Sequence, residues 1–550
     1  MYIYNQQDQT IVNQRVEQFR QQTHRFLQGD IAPSEFLPLR LQNGLYMQRH
    51  AHMLRIAVPY GMLNSKQLRM LSFLAKNYDK NYGHFTTRQN IQFNWPHLED
   101  VPDMLAHLAS VEMHAIQTSG NCIRNVTSDE FAGVHSDELI DPRPYCELVR
   151  QWSTFHPEFA YLPRKFKIAI SGCAGVNRAA TWVHDIGLQL NKDAQGNIGC
   201  KVLVGGGLGR TPVIGSVIHE HIPISDLLSY LEAILRVYNR YGRRDNKYKA
   251  RIKILVKALG IDTFKEQVEA QWQTIDRLTM RVPESEIARL KSHFTEPAYL
   301  ILPATNDTLN QALAQSTDFK TWYEVNTLPH KHNGYRIAVV SLKATGVAPG
   351  DVSGEQLQAL ADLADQYSFG EIRVTHHQNI VFADVKQSEL FALWQNLVKW
   401  DLATANRGLI TDIICCPGGD FCSLANAKSI PIAEAIQQHV EQHFDQRKLG
   451  NITLNISGCM NACGHHHVGN IGILGVDKKG KEYYQIALGG SSDQDAAIAD
   501  ILGPSFEQAD VTAVIDKILR LFEQHRLESE SFLQTYRRIG LEPFKAAIYA

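Results

Sequence analysis

Nowhere in the 550 residues do the ~18 consecutive apolar residues of a membrane span occur. The opening stretch Met1-Tyr-Ile-Tyr-Asn-Gln-Gln-Asp-Gln-Thr10 is polar and lacks the apolar core of a secretory signal. Both absences predict a soluble, cytoplasmic protein with no membrane partner. Charge of one sign is also missing: 55 Lys and Arg face 57 Asp and Glu, a net −2 with His neutral. Net charge alone therefore recruits neither nucleic acid nor an anionic membrane, although a local basic site is allowed. Cysteine is scarce, nine in the whole chain, which argues against a disulfide scaffold. The glycine run Gly205-Gly-Gly-Leu-Gly209 lacks the strand–G-x-G-x-x-G–helix setting of a dinucleotide fingerprint.

What is present is a globular composition, 44% hydrophobic and 20% charged. The length suits roughly two to four domains at ~150 residues each. A long internal repeat runs through the chain. Met53-Leu-Arg-Ile-Ala-Val-Pro59 matches Tyr335-Arg-Ile-Ala-Val-Val340, and Phe85-Thr-Thr-Arg-Gln-Asn-Ile-Gln-Phe93 matches Arg373-Val-Thr-His-His-Gln-Asn-Ile-Val-Phe382. Further on, Ile168-Ala-Ile-Ser-Gly-Cys173 matches Leu454-Asn-Ile-Ser-Gly-Cys459, and Val183-His-Asp-Ile-Gly187 matches Val468-Gly-Asn-Ile-Gly472. Each block alone is an ordinary strand–turn unit. Kept in order and at a near-constant offset, they point to duplication. The expected fold class is α+β with pseudo-two-fold symmetry. Its smaller portions span 1–125 and 305–405, and its larger portions span 126–304 and 406–550. A site on the pseudo-axis would draw residues from both copies.

Five of the nine cysteines fall between Cys415 and Cys463. Cys416-Pro-Gly-Gly-Asp-Phe-Cys422 is C-x5-C, and Cys459-Met-Asn-Ala-Cys463 is C-x3-C. Three readings meet this spacing. Four thiolates are the usual complement of an iron–sulfur cube, and the neighbouring glycines let backbone pass close to a bulky group. Structural zinc also takes four thiolates, but its knuckles use closer first pairs. Buried free thiols are the third reading. Cys415 reads as a packed thiol, and His465-His-His467, ahead of a strand, as structural or supporting side chains.

With these motifs the sequence resembles the sirohaem- and [4Fe–4S]-dependent nitrite and sulfite reductases. The resemblance runs from Gly44-Leu-Tyr-Met-Gln-Arg49 to Pro543-Phe-Lys545. It is carried most specifically by the two cysteine motifs, then by Thr87-Arg-Gln-Asn90, Arg124-Asn125 and Leu162-Pro-Arg-Lys-Phe-Lys167. It implies two ferredoxin-like half-domains, 1–125 and 305–405, and two larger sirohaem and iron–sulfur subdomains, 126–304 and 406–550. It also implies that Cys416, Cys422, Cys459 and Cys463 hold the cluster, with Cys463 bridging to the sirohaem iron. Two features depart from the family pattern: Met460 stands where Pro is common, and Gly464-His-His-His-Val468 is not general.

The resemblance assigns the anion-handling cations to Arg88, Arg124, Lys165 and Lys167. Arg suits fixed contacts to an oxyanion, and Lys is a mobile charge and proton donor. If Arg164–Ile170 is a strand, Lys165 and Lys167 share a face. The sulfite branch typically has Lys-x-Lys here and the nitrite branch Lys-x-Asn, so sulfite reduction for sulfur assimilation is expected, with nitrite the alternative substrate. A non-catalytic electron carrier or redox sensor is the third reading. Arg49, Arg55, Gln89 and Asn461 are candidate sirohaem anchors. No flavin or nicotinamide domain is recognisable, so electrons are expected from an external ferredoxin or flavoprotein.

Overall fold

The computed structural model describes residues 2–549. Two five-stranded sheets form the smaller portions. In the first, His52–Ile56 lies between Leu45–Met47 and Ile91–Phe93, with Tyr82–Phe85 beyond, all antiparallel. In the second, Tyr335–Val340 lies between Thr327–Pro329 and Ile380–Lys386, with Glu371–Val374 beyond.

Each of these sheets takes its last strand from the other copy. Asp351–Ser353 pairs with Tyr82–Phe85, Val352 opposite Gly83, and Met62–Asn64 pairs with Glu371–Val374, Leu63 opposite Ile372. Directly after each exchanged strand a helix begins, Ser65–Tyr78 in one copy and Gly354–Tyr367 in the other. Both start with a capping box. Asn64 Oδ1 accepts from Gln67 N while Gln67 Oε1 accepts from Asn64 N, and Ser353 and Gln356 repeat the pattern. One core results, in which Leu54, Leu63 and Leu71 pack with Val340, Leu360 and Ile372. The segments 1–125 and 305–405 are thus interlocked rather than side by side.

The larger portions repeat one topology. Thr127–Ser128, Ile168–Ser171 and Ile186–Lys192 are parallel neighbours, followed by antiparallel Ile198–Val204 and Ser216–Pro223. Ile414–Cys415, Leu454–Ser457, Ile471–Lys478, Lys481–Leu488 and Asp500–Ile501 follow the same order and sense. The central strands Ile168–Ser171 and Leu454–Ser457 are buried throughout, as parallel strands covered on both faces must be. Near the C-terminus, ahead of the last helix Glu542–Tyr549, a helix capped by Ser531 begins at Phe532. It packs through Phe532, Thr535 and Tyr536. Among the described residues no helix is long and apolar enough to cross a membrane.

Candidate active site

The two cysteine motifs begin at the carboxyl ends of adjacent parallel strands, Ile414–Cys415 and Leu454–Ser457. That register sets Cys416 beside the Gly458-Cys459 turn, and Gly458 N–H points at Cys416 Sγ at 3.2 Å. Gly458 O accepts from Asn426 and Ala427 N–H, which folds the loop past Cys422 back against the second motif. A Cβ on Gly458 would lie 2.7 Å from Ala427 O and 2.8 Å from Gly418 Cα, and one on Gly464 only 1.9 Å from Ile456 O. Only glycine allows both approaches.

Burial pushes the Cys416 thiol up to about 12, reinforced by the neighbouring Cys463. Burial likewise pushes Cys459 up to about 11 and raises Cys422, with Cys463 adding to both. Asn461 opposes the rise at Cys459 through its backbone and side-chain hydrogen bonds to that sulfur. Cys416, Cys422 and Cys459 thus each lie near enough to Cys463 to feel its charge. Among the described residues no three His, Cys, Asp or Glu side chains converge as a single metal ion requires. Cys415 is buried at the cavity lining, its Sγ donating to Cys416 O at 3.3 Å.

Facing Cys463 across a cavity are cations from the first copy. Arg55, Arg88, Arg124, Lys165 and Lys167 all line it, together with Asn461, Cys416 and Cys463. Thr87 Oγ donates to Cys463 O at 2.8 Å and ties the Thr86–Asn90 turn to the cysteine loop. The two lysines precede the regular strand, which starts at Ile168. The backbone is extended there by pairing of Ile123 with Phe166, and Arg124 N–H donates to Phe166 O at 2.7 Å. Alternation therefore still sets both lysines on one face.

Burial pushes Lys165 down to about 8, with Cys463 opposing and Arg124 adding, and holds Lys167 well below the usual lysine range, helped by Arg88 and Lys165. The Arg88 guanidinium, which lines the cavity, makes three bonds to protein. It donates to Asn125 O at 2.6 Å, Thr127 Oγ at 3.0 Å and His184 Nε2 at 2.5 Å. His184 Nδ1 meets Ala180 O at 2.8 Å, so its neutral Nδ1–H tautomer is the one that fits. Burial, with Arg124 and Arg251, pushes Arg88 down to about 9. Arg124 is held by Thr118 O at 2.6 Å and Gly120 O at 2.7 Å, and Arg55 by Gln92 Oε1 at 2.7 Å; both keep a buried Nε–H without a partner.

Two expected anchors lie elsewhere. Gln89 is fully buried, its amide donating to Ser128 O and Val374 O and accepting from Ser128 N–H, so it locks the two copies together. Arg49 is exposed and donates to Gly419 O at 3.0 Å, bracing the first cysteine loop from outside. Neither lines the cavity, because each is already spent on backbone carbonyls. In the histidine tract His465 lines a separate cavity, His466 is buried with its ring centroid 3.9 Å from that of His467, and His467 Nε2 meets Gly209 O at 3.0 Å.

Sequence reasoning missed Asp185, Arg251 and Lys253. Asp185, fully buried, accepts from Lys167 N–H at 2.8 Å and from Arg251 Nε and Nη2 at 2.8 and 2.7 Å. Lys253 Nζ donates to Gly207 O, Leu208 O and Thr211 O, holding the glycine run beside the second cysteine loop. The repeat did mark Asp185 as the partner of Asn470. No local pattern marks the other two.

Comparison with known proteins follows this geometry. The chain is 30% identical over 498 residues to "Sulfite reductase [ferredoxin] 2" of Mycolicibacterium paratuberculosis, covering 88% of this chain and 81% of that one. It is 27% identical over 522 residues to the chloroplastic ferredoxin–nitrite reductase of Arabidopsis thaliana, covering 92% and 82%. The solved structure of the Mycobacterium tuberculosis NirA protein superposes with a TM-score of 0.76 at 26% identity, over 94% of this chain and 92% of that one. The model of the nitrite/sulfite reductase ferredoxin-like half domain matches residues 46–111 and 333–400, and that of the nitrite and sulphite reductase 4Fe-4S domain matches 119–275 and 408–550. Each model matches twice, in the order the internal repeat requires, and the chain therefore belongs to the nitrite and sulphite reductase family.

Proposed function

We propose that the protein reduces sulfite to sulfide by six electrons for sulfur assimilation, using a sirohaem and a [4Fe–4S] cluster that share the Cys463 thiolate. One observation carries this reading: a single cavity is lined by Cys463 together with Arg124, Lys165 and Lys167. The four cysteines, of which Cys459 is buried and Cys463 exposed, and the close-packed glycines around them fit a cluster held by Cys416, Cys422, Cys459 and Cys463. Segments 126–304 and 406–550 would hold the two groups between them, with Arg55 and Asn461 near the macrocycle. When bound, they supply single electrons and an iron on which the anion sits.

The chain's own residues do the rest. Arg124 is fixed by two carbonyls, so its charge is preorganised and stabilises negative charge developing as oxygen leaves. Arg55 offers a further unpartnered N–H at the same cavity. Lys165, at about 8, is poised to donate a proton near neutral pH. Arg88 lines the same cavity and is braced there by His184 and Thr127.

Lys165 and Lys167 together favour the dianion sulfite, and nitrite is the alternative substrate, in keeping with the names of both kinds of relative. Those names also favour ferredoxin over a flavoprotein as the donor. The deciding experiment is an anaerobic assay of cofactor-loaded protein with an artificial one-electron donor, comparing kcat/KM for the two anions and quantifying sulfide and ammonia. A higher value for sulfite is expected; a higher value for nitrite overturns the assignment.

A further inference from the structure

Behind the basic wall of the cavity lies a carboxylate, Asp185, bonded to the backbone of Lys167 and to Arg251. Of the charges that act on Arg88, Arg124 and Arg251 push its pKa down and Asp185 alone pushes it up. Arg251 also acts on Lys165 and Lys167, lowering both. Its guanidinium is 12% exposed and paired in two-point fashion with fully buried Asp185. The same carboxylate accepts the backbone N–H of Lys167.

The internal repeat supplies a built-in control. Asp185 in Val183-His-Asp-Ile-Gly187 corresponds to Asn470 in Val468-Gly-Asn-Ile-Gly472. Asn470 Oδ1 accepts from Thr453 N–H at 3.0 Å, the bond that Asp185 makes to Lys167 N–H at 2.8 Å. In both copies the donor precedes the central parallel strand. An amide oxygen is therefore sufficient for the structural bond. The negative charge occurs in the copy whose wall carries the cations, and in the other copy Thr453 stands where Lys167 does.

We infer that Asp185 is a positioning residue of the anion site: its charge clasps Arg251 and keeps that guanidinium from driving Lys167 and Arg88 off the cavity wall. This rests on the proposed reading of the cavity as an anion site. Breaking a buried ion pair from one side strands the other charge, whereas removing both charges at once is far milder.

The test is a double-mutant cycle in cofactor-loaded protein. Asp185→Asn keeps the bond to Lys167 N–H, as Asn470 shows, and leaves Arg251 unpaired. Sulfite affinity of the oxidised protein by calorimetry, and KM, should worsen on the order of tenfold, with kcat within about twofold. Asp185→Asn combined with Arg251→Gln should return both to within about threefold of wild type. Unchanged sulfite binding in Asp185→Asn overturns the inference, as does a double variant that binds no better than the single one. Should Asp185→Asn alone fail to fold, the double variant decides: near-wild-type affinity upholds the clasp and lost affinity refutes it. Wild-type protein that neither binds nor reduces sulfite or nitrite would instead refute the broader reading, before any variant is compared.

Discussion

Lys167 separates two readings of one cavity. Its ammonium shares a wall with Lys165, and the pair suits an anion of charge two better than one of charge one, because Coulomb attraction scales with charge. Lys167→Asn should lower kcat/KM for sulfite by about tenfold or more, the worth of one charge-assisted contact, and shift the ratio towards nitrite. An unaltered ratio would remove Lys167 as a discriminator. His114 makes a separate point away from the cavity. Burial, with Arg150 adding, pushes its pKa from 6.5 down to about 3, so the folded protein holds it neutral. A folded pKa below the unfolded one means that the unfolded chain takes up the proton first. Stability is therefore full above about 6.5 and falls by about 1.4 kcal/mol per pH unit towards 3 on this account. His114→Gln should flatten that part of the stability–pH curve in denaturant titrations; an unchanged slope would assign the acid sensitivity to other groups.

At the scale of elements, the decisive device is the pair of loops leaving two adjacent parallel strands. The strands place the cysteine motifs together, and Gly458 lets the loops touch. Gly458→Ala adds a methyl 2.7 Å from Ala427 O and 2.8 Å from Gly418 Cα, neither of which is the end of a flexible side chain. The loops must part, and iron and acid-labile sulfide per chain should fall below half of wild type while the helical signal persists. Full cluster content in that variant would show that the loops tolerate the separation. The Gln89 and Gln378 turns work at the same scale. Both residues adopt positive φ, 55° and 61°, and both amides reach into the other copy, Gln89 to Val374 O and Gln378 to Phe85 O. Gln89, expected from its motif as a cofactor anchor, spends its amide on fastening the two copies.

At the scale of the whole molecule, strand exchange makes the duplication obligatory. Without the second copy, Tyr82–Phe85 loses Asp351–Ser353 as a neighbour and Met62–Asn64 has no sheet to join. The shared core would be divided and its apolar faces exposed. Residues 1–304 and 305–550 made separately should be insoluble or lack fixed tertiary packing by near-ultraviolet circular dichroism, and should recover it when produced together. Cooperative unfolding of either half alone would contradict this. The same interlock explains the site: the cations come from the first copy and the thiols from the second, so neither copy contains a complete cavity.

The sequence by itself determined what short-range pattern can determine. Repeated blocks in fixed order revealed the duplication, and the spacing from Cys416 to Cys463 pointed to a four-thiol centre, because both are statements about residue identity and spacing. Lys165 and Lys167 were placed on one face because alternation is a local property of extended chain. Only the tertiary structure decided which strands are exchanged, since Met62–Asn64 and Asp351–Ser353 are three-residue edges whose partners lie far along the chain. It alone spent Gln89 and Arg49 on carbonyls, because a motif does not say which of its polar atoms the fold will use. It alone brought Arg251 to Asp185, 66 residues away, where burial of a charge demanded a partner that no local pattern announces.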